Sequence, residues 1–375
     1  MEFFIKQKIK ICLVIHSLSS GGMERVMSQL ACYFSKKKDL EIHLVIYGKE
    51  REIFYPVPEV VIIHKPAFKF SNSKRKWHTV KTLLFLRKTV KEIQPDTILS
   101  FGELWNNLAL MALYGLKYPV FISDRSRPDK DLGWLHNKLR NYLYPKASGI
   151  VAQTNKAKAI AEMEKRNSNI QVIGNPIRNI KPDPLIVKEN IVLTVGRLIR
   201  TKHLDQLIRV FVRINEPGWK LVIVGGDAQR QNLKHGFRQL VRQLGATESV
   251  IFTGNQSDVD PYYLKSKIFT FTSSSEGFPN VVGEAMSAGL PVVSFDCTAG
   301  PSEMISDGEN GFLVPVFDWE MFEAKLKLLL HDENLREHFG TNARESIKRF
   351  TVESIGEQFY SFMTNPGLQV HKKRA

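Results

Sequence analysis

The chain has 375 residues and a mass of 42.9 kDa, with 43% hydrophobic and 24% charged residues, which fits two or three globular domains and argues against disorder. Its formal net charge is +15, and the excess sits in one half: residues 1–187 carry 31 Lys and Arg against 16 Asp and Glu, whereas residues 188–375 carry 22 of each. The three cysteines, Cys12, Cys32 and Cys297, form no CxxC or metal-ligand spacing, which argues against a disulfide framework or a structural zinc and fits a reducing compartment.

The opening residues, Met1 to Lys8, lack the apolar core and small-residue cleavage site of a signal peptide. The longest apolar stretch, Leu108 to Leu116, falls far short of the roughly 20 residues that span a bilayer. A cytoplasmic protein is expected, lying peripherally on the inner face of the membrane if its basic half meets anionic lipid.

Ile9 to Ile15 is short, β-branched and almost wholly apolar, the signature of a buried parallel strand. A polar loop with Gly21 and Gly22 follows, then helical spacing over Met23 to Phe34. Further strands are predicted at Ile42–Ile46, Val60–Ile63, Thr97–Ser100, Val120–Ser123 and Gly149–Ala152, with helical patterns between them. The rhythm breaks at Asn175-Pro176 and again at Lys181-Pro182-Asp183-Pro184, which reads as a linker. It restarts with strands at Asn190–Val195, Lys220–Val224, Ser249–Phe252, Ile268–Phe271 and Pro291–Ser294. The fold class is therefore α/β, two Rossmann-like parallel-sheet domains facing a central cleft. The expected division is 1–180, 181–350 and 351–375, the last a C-terminal helix that returns to the first domain plus a basic tail.

Three motifs fall in loops after strands, where such sheets bind ligands. Gly21-Gly22-Met23-Glu24-Arg25 opens a helix, and its glycines let a phosphate approach the free N–H groups there. The spacing is not the GxGxxG dinucleotide fingerprint, and a tight turn without a ligand is an equal reading. Gly196-Arg197-Leu198-Ile199-Arg200-Thr201-Lys202 follows the first strand of the second half. Arg197 and Lys202 can neutralise a diphosphate there, the first as a fork and the second as a point charge; solvated surface cations are the bland alternative. The third motif is Glu276-Gly277-Phe278-Pro279-Asn280-Val281-Val282-Gly283-Glu284. Asn280 is the expected helix N-cap. The two carboxylates would flank the helix start, set to accept hydrogen bonds from sugar hydroxyls.

With the ending Gly289-Leu290-Pro291-Val292-Val293-Ser294 through Gly300-Pro301-Ser302-Glu303, these motifs resemble a retaining glycosyltransferase of the GT4 type with GT-B architecture. The resemblance implies that Arg197 and Lys202 hold the donor diphosphate, Glu276 contacts the donor sugar and Glu284 the nucleotide ribose. It further implies that Gly196, Gly277, Phe278, Pro279, Asn280 and Val281 line the donor site, with Gly21 and Gly22 against the donor phosphates and Glu303 in a loop nearby. Arg197, Lys202 and Glu276 would be the catalytic set. The leaving diphosphate would be stabilised by cations, so no metal cofactor is expected. The acidic triplets Asp129-Lys130-Asp131 and Asp258-Val259-Asp260 are read as loop acids.

On the acceptor side, the loop Ser123-Asp124-Arg125-Ser126-Arg127 departs from relatives that place a His where Arg125 stands; Arg is an anion ligand and a poor base, so Arg125 or Arg127 would hold an acceptor phosphate with Asp124 orienting it. His16, at the end of the first strand, faces the cleft, and a satisfied structural His is the favoured reading of it. The expected donor is a UDP-hexose or UDP-N-acetylhexosamine, with GDP-mannose as the alternative. The acceptor is carbohydrate, and the basic first half suggests one linked to a lipid diphosphate. The segment from Lys74 to Lys91 is basic and apolar and suits an anionic membrane surface, although a core-facing helix would show a similar pattern. A nucleotide-sugar epimerase of the same architecture lacks this Glu276–Glu284 setting. A nucleic-acid partner is not expected, because stacking aromatics interleaved with cations are missing. A dehydrogenase would need the absent GxGxxG.

Overall fold

The computed structural model describes residues 8–49, 51–228 and 232–364, and these divide into two compact units, one ending at Pro176 and joined by 352–364, the other 177–351; the expected basic tail lies outside the described residues. The first unit therefore ends at Pro176 rather than at residue 180.

In chain order the first unit contains β1 (Ile9–Ile15), α1 (Gly22–Ser35), β2 (Leu40–Ile46), β3 (Ile62–His64), α2 (Arg75–Ile93), β4 (Thr97–Phe101), α3 (Glu103–Leu113), β5 (Val120–Ser123), α4 (Trp134–Leu143), β6 (Gly149–Ala152), α5 (Asn155–Met163) and β7 (Ile170–Val172). The second contains β8 (Ile191–Val195), α6 (Leu204–Ile214), β9 (Lys220–Val224), α7 (Leu233–Gln243), β10 (Val250–Gly254), α8 (Asp260–Lys265), β11 (Ile268–Phe271), α9 (Asn280–Ser287), β12 (Val292–Phe295), β13 (Gly311–Val314), α10 (Trp319–His331) and α11 (Glu333–Ser346). The last helix, α12 (Val352–Thr364), belongs to the first unit.

The first sheet has seven strands in the order β3-β2-β1-β4-β5-β6-β7, and the second six in the order β10-β9-β8-β11-β12-β13. The strand pairs are parallel, with Ile9 opposite Leu40 in the first sheet and Ile191 opposite Lys220 in the second. Sheets of this kind are covered on both faces, which is why Ile11 to Ile15 are at most 1% exposed. On α1, Val26, Met27, Leu30, Ala31 and Phe34 face the core, a helical stripe of three- and four-residue steps. In both sheets the strand order reverses once, between β1 and β4 and between β8 and β11. Such a reversal opens a crevice at the strand C-terminal ends, so each unit has one topologically favoured binding position.

Three expectations need correction. The strand predicted at Val60–Ile63 is β3, shifted to Ile62–His64, and Val60 is 70% exposed. At a sheet edge the apolar run does not decide the register, because one side has no partner strand. The short edge strands β7 and β13 were not anticipated. Asn280 is the first residue of α9 and not its cap; Pro279 holds the cap position and no side chain caps this end.

Candidate active site

The second unit's crevice is built by glycines and by cross-loop hydrogen bonds. Gly196 follows β8 with φ +150°, and Gly225 follows β9 with φ +139°. A Cβ on Gly225 would lie 1.9 Å from the Gly196 carbonyl oxygen, so only glycine permits this approach. The Leu198 N–H donates to the Gly226 carbonyl at 2.8 Å and pins the loop. The chain then makes a 3-10 turn at Arg200–Lys202 that is tied to the loop after β11. The Ser274 N–H donates to the Thr201 carbonyl at 2.9 Å, and the Thr272 hydroxyl to the Lys202 carbonyl at 2.6 Å. His203 Nε2 lies 2.9 Å from Ser274 Oγ.

These bonds bring two sequence motifs, 74 residues apart, into contact. Lys202 Nζ lies 2.7 Å from Glu276 Oε1, which also accepts from Ser273 Oγ at 2.7 Å. The ammonium sits 4.3 Å from the centre of the Phe271 ring. Arg197, in the same loop as Lys202, is exposed and makes no ion pair with a described residue. Nearby, the Cys297 thiol is pushed up to about 12 by burial and by the Glu276 carboxylate, and so stays neutral.

Glu284 is 3% exposed in the second turn of α9. The Tyr263 hydroxyl donates to its Oε2 at 3.1 Å, and Arg178 Nε lies 3.4 Å from its Oε1. Arg178 also pairs with Asp260. Burial pulls the Arg178 pKa down, but the Glu284 and Asp260 carboxylates outweigh it and hold the group above its ordinary value. Arg178 and Tyr263 carry no motif signal; Arg178 lies inside the segment read as a linker.

The turn between the two carboxylates differs in part from expectation. Phe278 is 7% exposed and packs on Phe350, so its ring belongs to the core and only its main chain can line a site. Pro279 is buried too, and a Cβ on Gly300 (φ +144°) would meet its Cδ at 2.2 Å, which seats the loop leading to Glu303 against this turn. Gly277, Asn280 and Val281 remain partly exposed. No side chain caps the start of α9; the Asn280 and Val282 N–H groups donate to the Phe278 and Pro279 carbonyls at 3.0 and 2.9 Å.

In the first unit, His16 at the end of β1 stacks on Trp105 at 4.4 Å and 11°. Burial lowers its pKa to about 4, so the ring is neutral near pH 7. Gly21 caps α1 in extended conformation, and a Cβ there would lie 2.2 Å from Glu24 Oε2. The chain's own carboxylate thus occupies the start of this helix, and burial raises its pKa.

Asp124 does not orient Arg125. It accepts from Asn106 Nδ2 at 2.9 Å and from the Tyr144 hydroxyl at 2.6 Å, with Arg166 at 3.8 Å, because these groups surround it beneath the loop. Arg125 stacks 4.3 Å from the Phe101 ring centre and donates to Asn175 and Ser123, and burial lowers its pKa to about 9. Arg127 pairs with Asp129 at 2.9 Å on the surface. Glu103, at the start of α3, was not anticipated: burial and Asp124 raise its pKa, and it accepts from the Ser126 N–H at 2.8 Å. Asp131 accepts from Gly133 N–H and Asn137, and Asp258 from the Asp260 N–H, so both acidic triplets take part in local turns.

Two family models cover most of the chain: "Glycosyltransferase Family 4" over residues 20–178 and "Glycosyl transferases group 1" over residues 176–346. The chain is 30% identical over 370 residues to an N-acetylgalactosamine-N,N'-diacetylbacillosaminyl-diphospho-undecaprenol 4-alpha-N-acetylgalactosaminyltransferase of Campylobacter jejuni, covering 94% of this chain and 99% of that one. It is 29% identical to the amylovoran biosynthesis glycosyltransferase AmsD of Erwinia amylovora, covering 92% and 97%. Among solved structures, the Anabaena protein HepE in complex with UDP superposes with a TM-score of 0.78 at 18% identity, covering 94% and 99%. Sucrose-phosphate synthase from Thermosynechococcus elongatus gives 0.79 at 18% identity, covering 94% and 98%. The chain is a glycosyltransferase, a member of family 4 with the GT-B fold.

Proposed function

We propose that this enzyme transfers a hexose or N-acetylhexosamine, with retention, from a UDP-sugar to a carbohydrate linked to a lipid diphosphate. The observation that carries the reading is the meeting of Lys202 with Glu276 at the β8–β11 crevice, at 2.7 Å, with Arg197 in the same loop. Cations are thereby gathered where a departing diphosphate gains charge, beside the positive end of α9.

The acceptor hydroxyl oxygen forms its bond to the anomeric carbon on the face from which the phosphate oxygen leaves. The electron pair of the broken bond stays on that oxygen, which takes the hydroxyl proton. Lys202 and Arg197 stabilise the charge on the diphosphate. Glu276 accepts from donor sugar hydroxyls and Glu284, held by Arg178 and Tyr263, from the ribose. The side-chain cations supply the positive charge, so the reaction runs without a metal cofactor. The first unit takes the acceptor, in keeping with its net charge. The Campylobacter relative is named for an acceptor on diphospho-undecaprenol, which supports a lipid-linked substrate here.

Among the described residues no helix is long and apolar enough to cross a membrane. In the proposed reading the basic first unit rests on an anionic membrane surface through α2, α3 and α4, of which α3 packs against both others. On α2 the core-facing residues are His78, Thr82, Leu86, Val90 and Ile93, while Trp77 (57%) and Leu84 (62%) are exposed. Lysines lie over exposed aromatics of two of these helices: Lys81 over Trp77 on α2, Lys138 over Trp134 on α4, and Lys146, just past α4, over its Tyr142, at 5.4, 5.4 and 3.5 Å. Aromatic rings beside lysines suit the boundary between lipid headgroups and acyl chains.

The test is acceptor-dependent release of nucleoside diphosphate from a panel of UDP- and GDP-sugars, offered with a polyprenyl-diphosphate-linked saccharide, with and without EDTA. UDP release insensitive to EDTA is expected. Release of GDP alone would overturn the donor assignment, and loss of turnover in EDTA the metal-free mechanism.

A further inference from the structure

The second unit has another cationic position, at the opposite end of its sheet. A cavity of about 380 Å³ is lined by Lys188, Lys267, Arg336 and Arg344 together with Glu333 and Glu337. Lys188 lies just before β8, Lys267 just before β11, and Gly289 and Pro291 lead into β12. In a parallel sheet these are all N-terminal ends. The Lys202–Glu276 pair lies beyond the C-terminal ends of the same strands, roughly 15 Å away by strand rise.

Close packing shapes this cavity. Gly289 has φ +74°, and a Cβ there would meet an Arg344 guanidinium nitrogen at 2.5 Å. A Cβ on Gly340 would lie 2.4 Å from the Gly289 carbonyl oxygen. The two glycines let α11 close on the lead into β12 and hold Arg344 in the wall. Arg344 donates to the Ala288 carbonyl at 3.0 Å, but its Nε is buried without a partner. Lys267 is 2.9 Å from Asn190 and 3.9 Å from Glu333, and Arg336 donates to the Leu329 and Leu330 carbonyls. Lys188 makes no ion pair with a described residue. Burial, then Arg344 and Lys267, lower its pKa. Arg336 also lies 3.6 Å from Glu333, and Lys188 stands exposed at the rim. Four cations therefore face two carboxylates, and the buried Arg344 Nε–H lacks an acceptor.

We propose that this cavity is an anion site separate from the donor pocket, taking a phosphoryl group, free or esterified, against Lys188, Lys267 and Arg344. A phosphoryl group offers several acceptor oxygens and the negative charge that the two carboxylates do not fully supply. Neither the donor assignment nor the membrane face is needed for this site.

The full-length protein carrying Lys202→Ala, which weakens the donor pocket, is titrated calorimetrically with inorganic phosphate, pyrophosphate and glucose 1-phosphate. Saturable binding of at least one is expected, weakened at least tenfold by Lys188→Ala with Lys267→Ala at unchanged melting temperature, and tightened by Glu337→Gln. The strongest ligand tells free from esterified phosphate. Hydrogen exchange should slow at residues 289–291 and 333–344 when that ligand binds. Equal affinity in the double variant, protection confined to residues 196–202 and 273–284, or no binding of any probe would overturn the site. Failure of the donor reading shows separately, as normal turnover by Lys202→Ala.

Discussion

Lys202 and Glu276 show how much chemistry two side chains carry once their backbones are fixed. The salt bridge is short and partly buried, but its position matters more than its stability: Thr272, Ser274 and His203 hold the two loops together whether or not the pair forms. Lys202→Ala should therefore lower kcat by about 10²–10³, as for loss of one charge-stabilising group, and leave the melting temperature near that of the parent. Steady-state kinetics with a calorimetric scan check this, and near-normal turnover would refute the role. The spacing of Glu276 and Glu284 was legible in the sequence because both sit in one loop-and-helix segment. Arg178, which holds Glu284, was not legible, since the fold alone brings that distant position to α9. Asp124 misled for a similar reason: its neighbours Asn106, Tyr144 and Arg166 come from elsewhere in the chain. His16 supplies a pH signature. Its pKa is about 4 when folded and about 6.5 when unfolded. Below 6.5 the unfolded chain binds a proton that the folded chain does not, so this residue's stabilisation is complete above 6.5 and declines as pH falls toward 4. The raised pKa of Glu24 acts in the opposite sense. Denaturation across pH 4–7 should show a shallower loss of stability toward acid in His16→Asn than in the parent; identical slopes would contradict the buried neutral ring.

Among the elements, the alternation of strands and helices was legible because parallel strands covered on both faces are nearly all apolar, as β1 is apart from Lys10 and β8 apart from Thr194. The edges were not. β7 has three residues with Gln171 in the middle, too short a run to read. The helix α2 divides more clearly in the structure than in the sequence, since its Trp77, Val80 and Leu84 face solvent rather than core. The return of α12 to the first unit rests on aromatic contacts that spacing alone does not reveal. Phe359 is fully buried near Phe101, and Phe362 packs edge-on to Phe121 at 5.1 Å. Gly356 admits the Tyr33 ring, which a Cβ would meet at 2.3 Å. Phe359→Ala should cost about 3–5 kcal/mol, measured by urea denaturation. A loss below about 1 kcal/mol would mean that α12 contributes little to the first unit.

For the whole molecule, the charge asymmetry and the chemistry belong to different units. The first carries the basic excess and the exposed aromatic face, and the second carries the crevice that joins two motifs. Flotation with liposomes of neutral or anionic lipid tests the role of the first. Binding should favour anionic vesicles, and Trp77→Ser with Leu84→Ser should reduce it severalfold while leaving turnover on a water-soluble acceptor analogue unchanged. Equal flotation with neutral lipid would remove the membrane assignment without touching the transferase chemistry. The central claim, that the β8–β11 crevice grips the donor diphosphate, is tested most directly by a crystal structure of the enzyme with UDP. The account requires diphosphate oxygens within hydrogen-bond reach of Lys202 and Arg197 and ribose hydroxyls on Glu284. A diphosphate bound away from both cations would contradict it.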